Sequence, residues 1–156
     1  MLGTGTAICL PADIDTDVVI AGRYLRTRDG GIWAAHVFED LDPTLAPRLR
    51  GAVIVAGKNF GCGSSREQAA LAIREAGVVA VIAPSFARIF FRNAINIGLP
   101  LIESDLTCEE GSTVTFDLSG GWVEAGGKRH TIRPLSLRMQ EILMAGGLVE
   151  YWRAHR

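Results

Sequence analysis

The stretch that most narrows the possible folds lies between residues 52 and 103, where three short apolar runs are separated by two helical patterns. "AVIVA" (52–56), "VVAVIA" (78–83) and "LPLIE" (99–103) have the length and character of buried strands. Between the first two, "SREQAALAIREA" sets Ala69, Ala72, Ile73 and Ala76 on one helical face, and Gly77 follows as a C-terminal cap. Between the last two, a second helix runs roughly from Ser85 to Ile97 and stops at Gly98. Strands that alternate with helices in this way favour a parallel sheet with right-handed crossovers.

The flanks differ. "STVTFDL" (112–118) alternates as a half-exposed strand does, and "WVEAGGKRHTI" reads as a hairpin turned by its glycine pair. "LSLRMQEILMAGG" predicts a short capping helix, with a last helical stub at 148–154. The first 50 residues hold one strand, "TAICL", an acidic loop, and a Gly/Arg/Tyr-rich stretch expected to be mobile. The expected fold is therefore α/β: a mixed sheet with a parallel core, flanking helices and a small β-rich C-terminal extension.

Without an internal repeat or linker, 156 residues make a single domain, 1–156, large enough to bury about two-thirds of its unfolded surface. A net charge of −1 offers no electrostatic reason for nucleic-acid binding. No basic residue precedes Arg23 and no long apolar run opens the chain, so neither a signal peptide nor a membrane span is expected. Three cysteines, Cys9, Cys62 and Cys108, lie far apart without metal-type spacing. They read as free thiols in a reducing compartment, which makes the cytoplasm the expected location.

Two motifs invite chemistry. "DIDTD" (13–17) spaces three aspartates as a calcium loop does, but the loop's glycine and final glutamate positions hold Val18 and Tyr24, so a loop capping its own amides is the better reading. "GKNFGCGSSREQ" (57–68) is more informative. A Walker loop needs Gly-Lys-Ser/Thr at the end of its turn, whereas Lys58 precedes the turn. A dinucleotide fingerprint from Gly61 would need glycine where Arg66 stands, and Cys62 rather than glycine lies two before Ser64.

Ser64 and Glu67 have capping-box spacing, which would make Ser64 an N-cap contributing about 1 kcal/mol and nothing more. The same helix start leaves free N–H groups and a partial positive charge. Arg66 adds a fork that grips a carboxylate, and glycines 57, 61 and 63 would let a ligand approach the backbone. On the residues alone, a plain cap and an anion site remain equally open. A serine base would need its pKa lowered by such surroundings, since His36, His130 and His155 are isolated.

The segment "GKNFGCGSSREQAALAIREAGVVAVIAPSFARIFFRNAINIGLPLIE", together with "DIDTDVVIAGRYL", resembles the small subunits of 3-isopropylmalate dehydratase and homoaconitase, in the aconitase superfamily. The resemblance spans nearly the whole chain and implies the superfamily's swivel domain. It implies a hydro-lyase that is active only with its large subunit, as a heterodimer or heterotetramer. That partner, not this chain, would bind a [4Fe-4S] cluster, so no metal ligand is expected here. Carried over by position, Ser64 becomes the general base. Ser65 and Arg66 become binders of the substrate carboxylate beside the reacting carbon, and Asp17 an active-site aspartate.

The substrate implied is a small 2-hydroxy di- or tricarboxylate. Isopropylmalate, in leucine biosynthesis, is the first reading. The alternative, homoaconitate, is favoured by Arg26 in "RYLRTRDGG" (23–31), which would read a further carboxylate. A methylated malate is a third. Two readings from other classes compete: an anion- or nucleotide-binding module, and a non-catalytic subunit whose motif only caps a helix.

Overall fold

The computed structural model describes residues 1–155. One seven-stranded mixed sheet organises the chain, in the order β4-β3-β2-β1-β5-β6-β7. Its parallel half consists of β1 (Leu2–Leu10), β2 (Ala52–Ala56), β3 (Ala80–Ala83) and β4 (Leu101–Glu103). Its antiparallel half consists of β5 (Thr113–Asp117), β6 (Trp122–Ala125) and β7 (Lys128–Thr131), the last two joined through Gly126 and Gly127. The expected strand–helix alternation, parallel core and C-terminal hairpin are all present.

β1 joins the two halves. Its second half, Thr6–Leu10, runs parallel to Ala52–Ala56, while its first half, Leu2–Thr6, runs antiparallel to Thr113–Asp117. The strand is longer than the "TAICL" read from the sequence because Gly3 and Gly5 interrupt the apolar pattern that marks a strand. Both glycines have packing reasons: a Cβ on Gly3 would fall 2.3 Å from the Phe116 ring, and one on Gly5 2.6 Å from the Gly51 carbonyl oxygen.

Two apolar layers cover the sheet, sorted by the two-residue period of its strands. Ile8, Ile54, Val81 and Leu101 face one layer. Packed on it are α2 (Gly30–His36) and α3 (Glu67–Glu75), through Trp33, Ala69, Ala70, Ala72 and Ile73. Ala7, Val53, Ile82 and Ile102 face the other, covered by α5 (Leu137–Ala145) and α6 (Leu148–Ala154) through Ile142, Leu143 and Tyr151. Between them α4 (Arg88–Asn96) serves both layers, with Phe90 and Ala94 on one and Ile95 on the other.

The start of the 23–31 stretch, Arg23 and Tyr24, is tied down rather than loose. Arg23 grips both Asp40 oxygens at 2.7 and 3.3 Å and reaches Glu39 at 2.9 Å. The Tyr24 hydroxyl donates to Glu39 at 2.5 Å, its ring stacks on His36, and its carbonyl accepts from the Trp33 indole at 3.0 Å. His36 Nδ1 completes the set on Glu39. Among the described residues no helix is long and apolar enough to cross a membrane.

Candidate active site

In a parallel sheet every crossover helix starts at the carboxyl end of a strand, which is where such folds gather their sites. Here the turn after β2 and the turn after β3 meet. Phe60 N–H donates to the Ser85 carbonyl at 3.1 Å, Ala87 N–H to the Phe60 carbonyl at 3.0 Å, and Asn59 N–H to Ser85 Oγ at 2.9 Å. The Phe60 ring packs against Phe86 and Phe90. A cavity of about 290 Å³ opens where the turns join, walled by Ser64, Ser65 and Arg66 from one and by Arg88, Ile89 and Asn93 from the other.

The "DIDTD" loop forms the support beneath. Gly61 N–H donates to the Ile14 carbonyl and Thr16 N–H to the Cys62 carbonyl, each at 2.8 Å. Asp15 caps α1 (Thr16–Val19) by accepting from Asp17 N–H at 2.7 Å, and Asp13 accepts from the Asn59 amide at 3.0 Å. The aspartates thus hold backbone and side-chain amides. The glycines also have packing reasons, and Gly61 and Gly63 line the cavity as well. A Cβ on Gly61 would lie 2.3 Å from Phe90, one on Gly63 2.4 Å from an Asp15 carboxylate oxygen, and one on Gly57 2.7 Å from Ala12. Gly61 and Gly63 also have φ near +85° and +91°, a conformation glycine adopts without strain.

Ser64 is not a helix cap. α3 begins at Glu67 and its N-cap position is Arg66, without a capping side chain. The Ser64 carbonyl accepts from the buried Thr16 hydroxyl at 2.7 Å and from Arg66 N–H at 2.9 Å. That pins the backbone one turn ahead of the helix and leaves the side chain clear of it. Among the described residues neither the Ser64 nor the Ser65 hydroxyl has a hydrogen-bond partner, and the N–H groups of Glu67 and Gln68 donate to no protein acceptor. Two free hydroxyls and two free amides therefore stand at the positive end of a helix.

Arg66 is held in place. Its Nη2 pairs with Asp17 Oδ1 at 3.0 Å and its Nη1 donates to the Ile20 carbonyl at 3.3 Å. Asp17, Ser64, Ser65 and Arg66 are thus brought together, Asp17 through its ion pair with Arg66 and not on the cavity wall itself. Arg26 is not: it is exposed and absent from the cavity wall, although its loop starts at Gly22, beside the Arg66 guanidinium. Arg88, Ile89 and Asn93 escaped the sequence reading. The signal for them was available, since two consecutive strand–helix units in one parallel sheet put both helix starts at the same end.

The residues do not suit a metal cluster. Among the described residues no three His, Cys, Asp or Glu side chains converge on a metal position. Cys62, the cysteine nearest the site, has its pKa raised by burial and by the Asp15 and Asp13 charges, which disfavours the thiolate a cluster needs.

The comparisons agree with this architecture. Residues 37–105 match the family model of the aconitase C-terminal domain. The chain is 52% identical over 145 residues to the 3-isopropylmalate dehydratase small subunit of Moorella thermoacetica, covering 89% of this chain and 87% of that one. It is 50% identical over 143 residues to the methanogen homoaconitase small subunit of Methanothermobacter thermautotrophicus, covering 90% and 84%. The crystal structure of 3-isopropylmalate dehydratase from Methanocaldococcus jannaschii superposes with a TM-score of 0.91 at 44% identity, over 99% of this chain and 95% of that one. The fold is accordingly the swivel-type domain of the aconitase superfamily. Within it, the chain belongs to the family of 3-isopropylmalate dehydratase and homoaconitase small subunits, hydro-lyase components whose designation implies a large-subunit partner.

Proposed function

We propose that residues 1–156 act as one swivel-type domain that supplies half of a hydro-lyase active site, with Ser64 as the base. The observation that carries this is the unbonded Ser64 hydroxyl on the cavity wall beside a fixed guanidinium. Ser64 Oγ takes the proton from the carbon next to a substrate carboxylate and later returns it. Ser65 and Arg66 hold that carboxylate as negative charge builds on it, and Asp17 keeps Arg66 oriented. An exposed hydroxyl is a poor base, so the reaction needs the partner subunit to close over the cavity and exclude water. The free amides and cations then act at short range in a low dielectric. A [4Fe-4S] cluster belongs in this reading to the large subunit, not to this chain, and the enzyme is cytoplasmic.

The substrate we assign first is isopropylmalate, supported by the relatives' names. Homoaconitate is the second reading, supported by the homoaconitase relative and by Arg26, whose anchored loop begins beside Arg66. The test is anaerobic reconstitution with the large subunit and comparison of kcat/KM for the two acids. In the same complex Ser64→Ala should fold and assemble normally while kcat falls by about 100-fold or more. Undiminished turnover in that variant would return the motif to a structural role.

A further inference from the structure

The cavity carries a second guanidinium to which the reading above gives no task. Arg88 is the first residue of α4, exposed, and shares the wall with Ser64, Ser65 and Arg66. Its position is fixed by the backbone bonds that join the two turns and by Phe90, which packs on Phe60 at 5.4 Å between ring centroids. Only the long side chain is left to move. The two arginines differ in one respect. Arg66 is paired with Asp17, whereas among the described residues no carboxylate lies within ion-pair distance of Arg88.

Local stability does not explain this placement. A cation in the first turn of a helix faces the positive end of the macrodipole, which is mildly unfavourable, and no acid offsets it. Arg66 on this wall already has Asp17 for a partner, so Arg88 is the cation on it without an acid beside it. The volume, near the lower end for ligand sites, suits a ligand of small-acid size.

We propose that Arg88 binds a second substrate carboxylate, the one farther from the carbon that loses its proton. The proposal rests on the Ser64–Arg66 reading above, and the test separates the two. In the assembled complex, malate and 3-hydroxybutyrate serve as competitive inhibitors that differ in one feature, the carboxylate beside the hydroxyl-bearing carbon replaced by a methyl group.

Arg88→Gln should raise the inhibition constant of malate by about 10- to 100-fold, the range for a lost charge-assisted contact. It should leave that of 3-hydroxybutyrate within about twofold, and Arg88→Lys should fall between wild type and Arg88→Gln for malate. Equal shifts for both inhibitors, or none for either, would overturn the proposal and leave the serine base standing. Loss of assembly by sedimentation would also overturn it, by making Arg88 a contact with the large subunit. A malate-specific shift beside a fully active Ser64→Ala variant would keep Arg88 as an anion site and remove the base.

Discussion

At the scale of single residues, the division between bonded and unbonded groups is what makes Ser64 and Arg66 distinguishable. Thr16 and Arg66 hold the Ser64 backbone, so its hydroxyl is spared any structural duty. Arg66 has both a structural and a chemical task, because the atoms that pair with Asp17 and Ile20 belong to the same fork that would grip a carboxylate. Arg66→Lys keeps the charge and loses the fork. The expected outcome is a kcat/KM lowered by about 10-fold or more with the fold retained, read from steady-state kinetics beside a thermal melt. Unchanged kinetics would remove Arg66 from carboxylate binding. The serine pair and the arginine were legible because an uncommon motif carried them. Arg88 was not, because nothing in "SFARIFF" taken alone says which cavity it faces.

At the scale of elements, the two turns form one unit. Gly61→Ala would drive a methyl group into the Phe90 ring and demand a positive φ from alanine. A loss of about 2–4 kcal/mol in urea unfolding is expected, larger than a helix-interior glycine would imply. The apolar strands and the helix on "AALAI" could be read from the sequence since their period is local. The start of α3 could not. Ser64-x-x-Glu67 has the spacing of a cap, but a hydroxyl 48 residues earlier claims the Ser64 carbonyl, and long-range bonds of that kind leave no periodic trace.

The clamp on Arg23 and Tyr24 was hidden for a similar reason, since scattered polar residues resemble a solvated loop. Its pH behaviour follows from Glu39, whose pKa is lowered from 4.5 to about 2 by hydrogen bonds from Tyr24, His36 and Arg23. A depressed carboxylate pKa contributes stability above the unfolded value and loses it as pH falls through the folded one. The stability difference between wild type and Glu39→Gln should therefore be constant above about pH 4.5 and shrink from there towards pH 2. A difference that stays constant across that window would mean that the clamp does not depend on the carboxylate's charge.

At the scale of the whole molecule, the one sheet has a parallel and an antiparallel half joined by β1. Residues 2–5 pair with β5 and lie outside the pairing with β2. Deleting residues 2–5 should spare the parallel half and release β5–β7, so that limited chymotrypsin digestion cuts at Phe116 and Trp122 while the segment 52–103 stays protected. Uniform protection would mean that the hairpin is held by its apolar face alone. The alternation of strand and helix fixed the parallel half in advance. The position of β1 between the halves was out of reach, because its partners lie far along the chain and its glycines mask its pattern.

That same strand has a consequence for the order of events on the ribosome. β1 emerges before both of its partner strands, yet the Thr4 hydroxyl must wait for the Val114 carbonyl, 110 residues later. Once β4 has left the ribosome, the turns that carry Ser64 and Arg88 and the parallel strands beneath them are all present, but the leading half of β1 is bare. Until β5 follows, the seam strand keeps an open edge, the kind of exposed template on which neighbouring chains pair and aggregate.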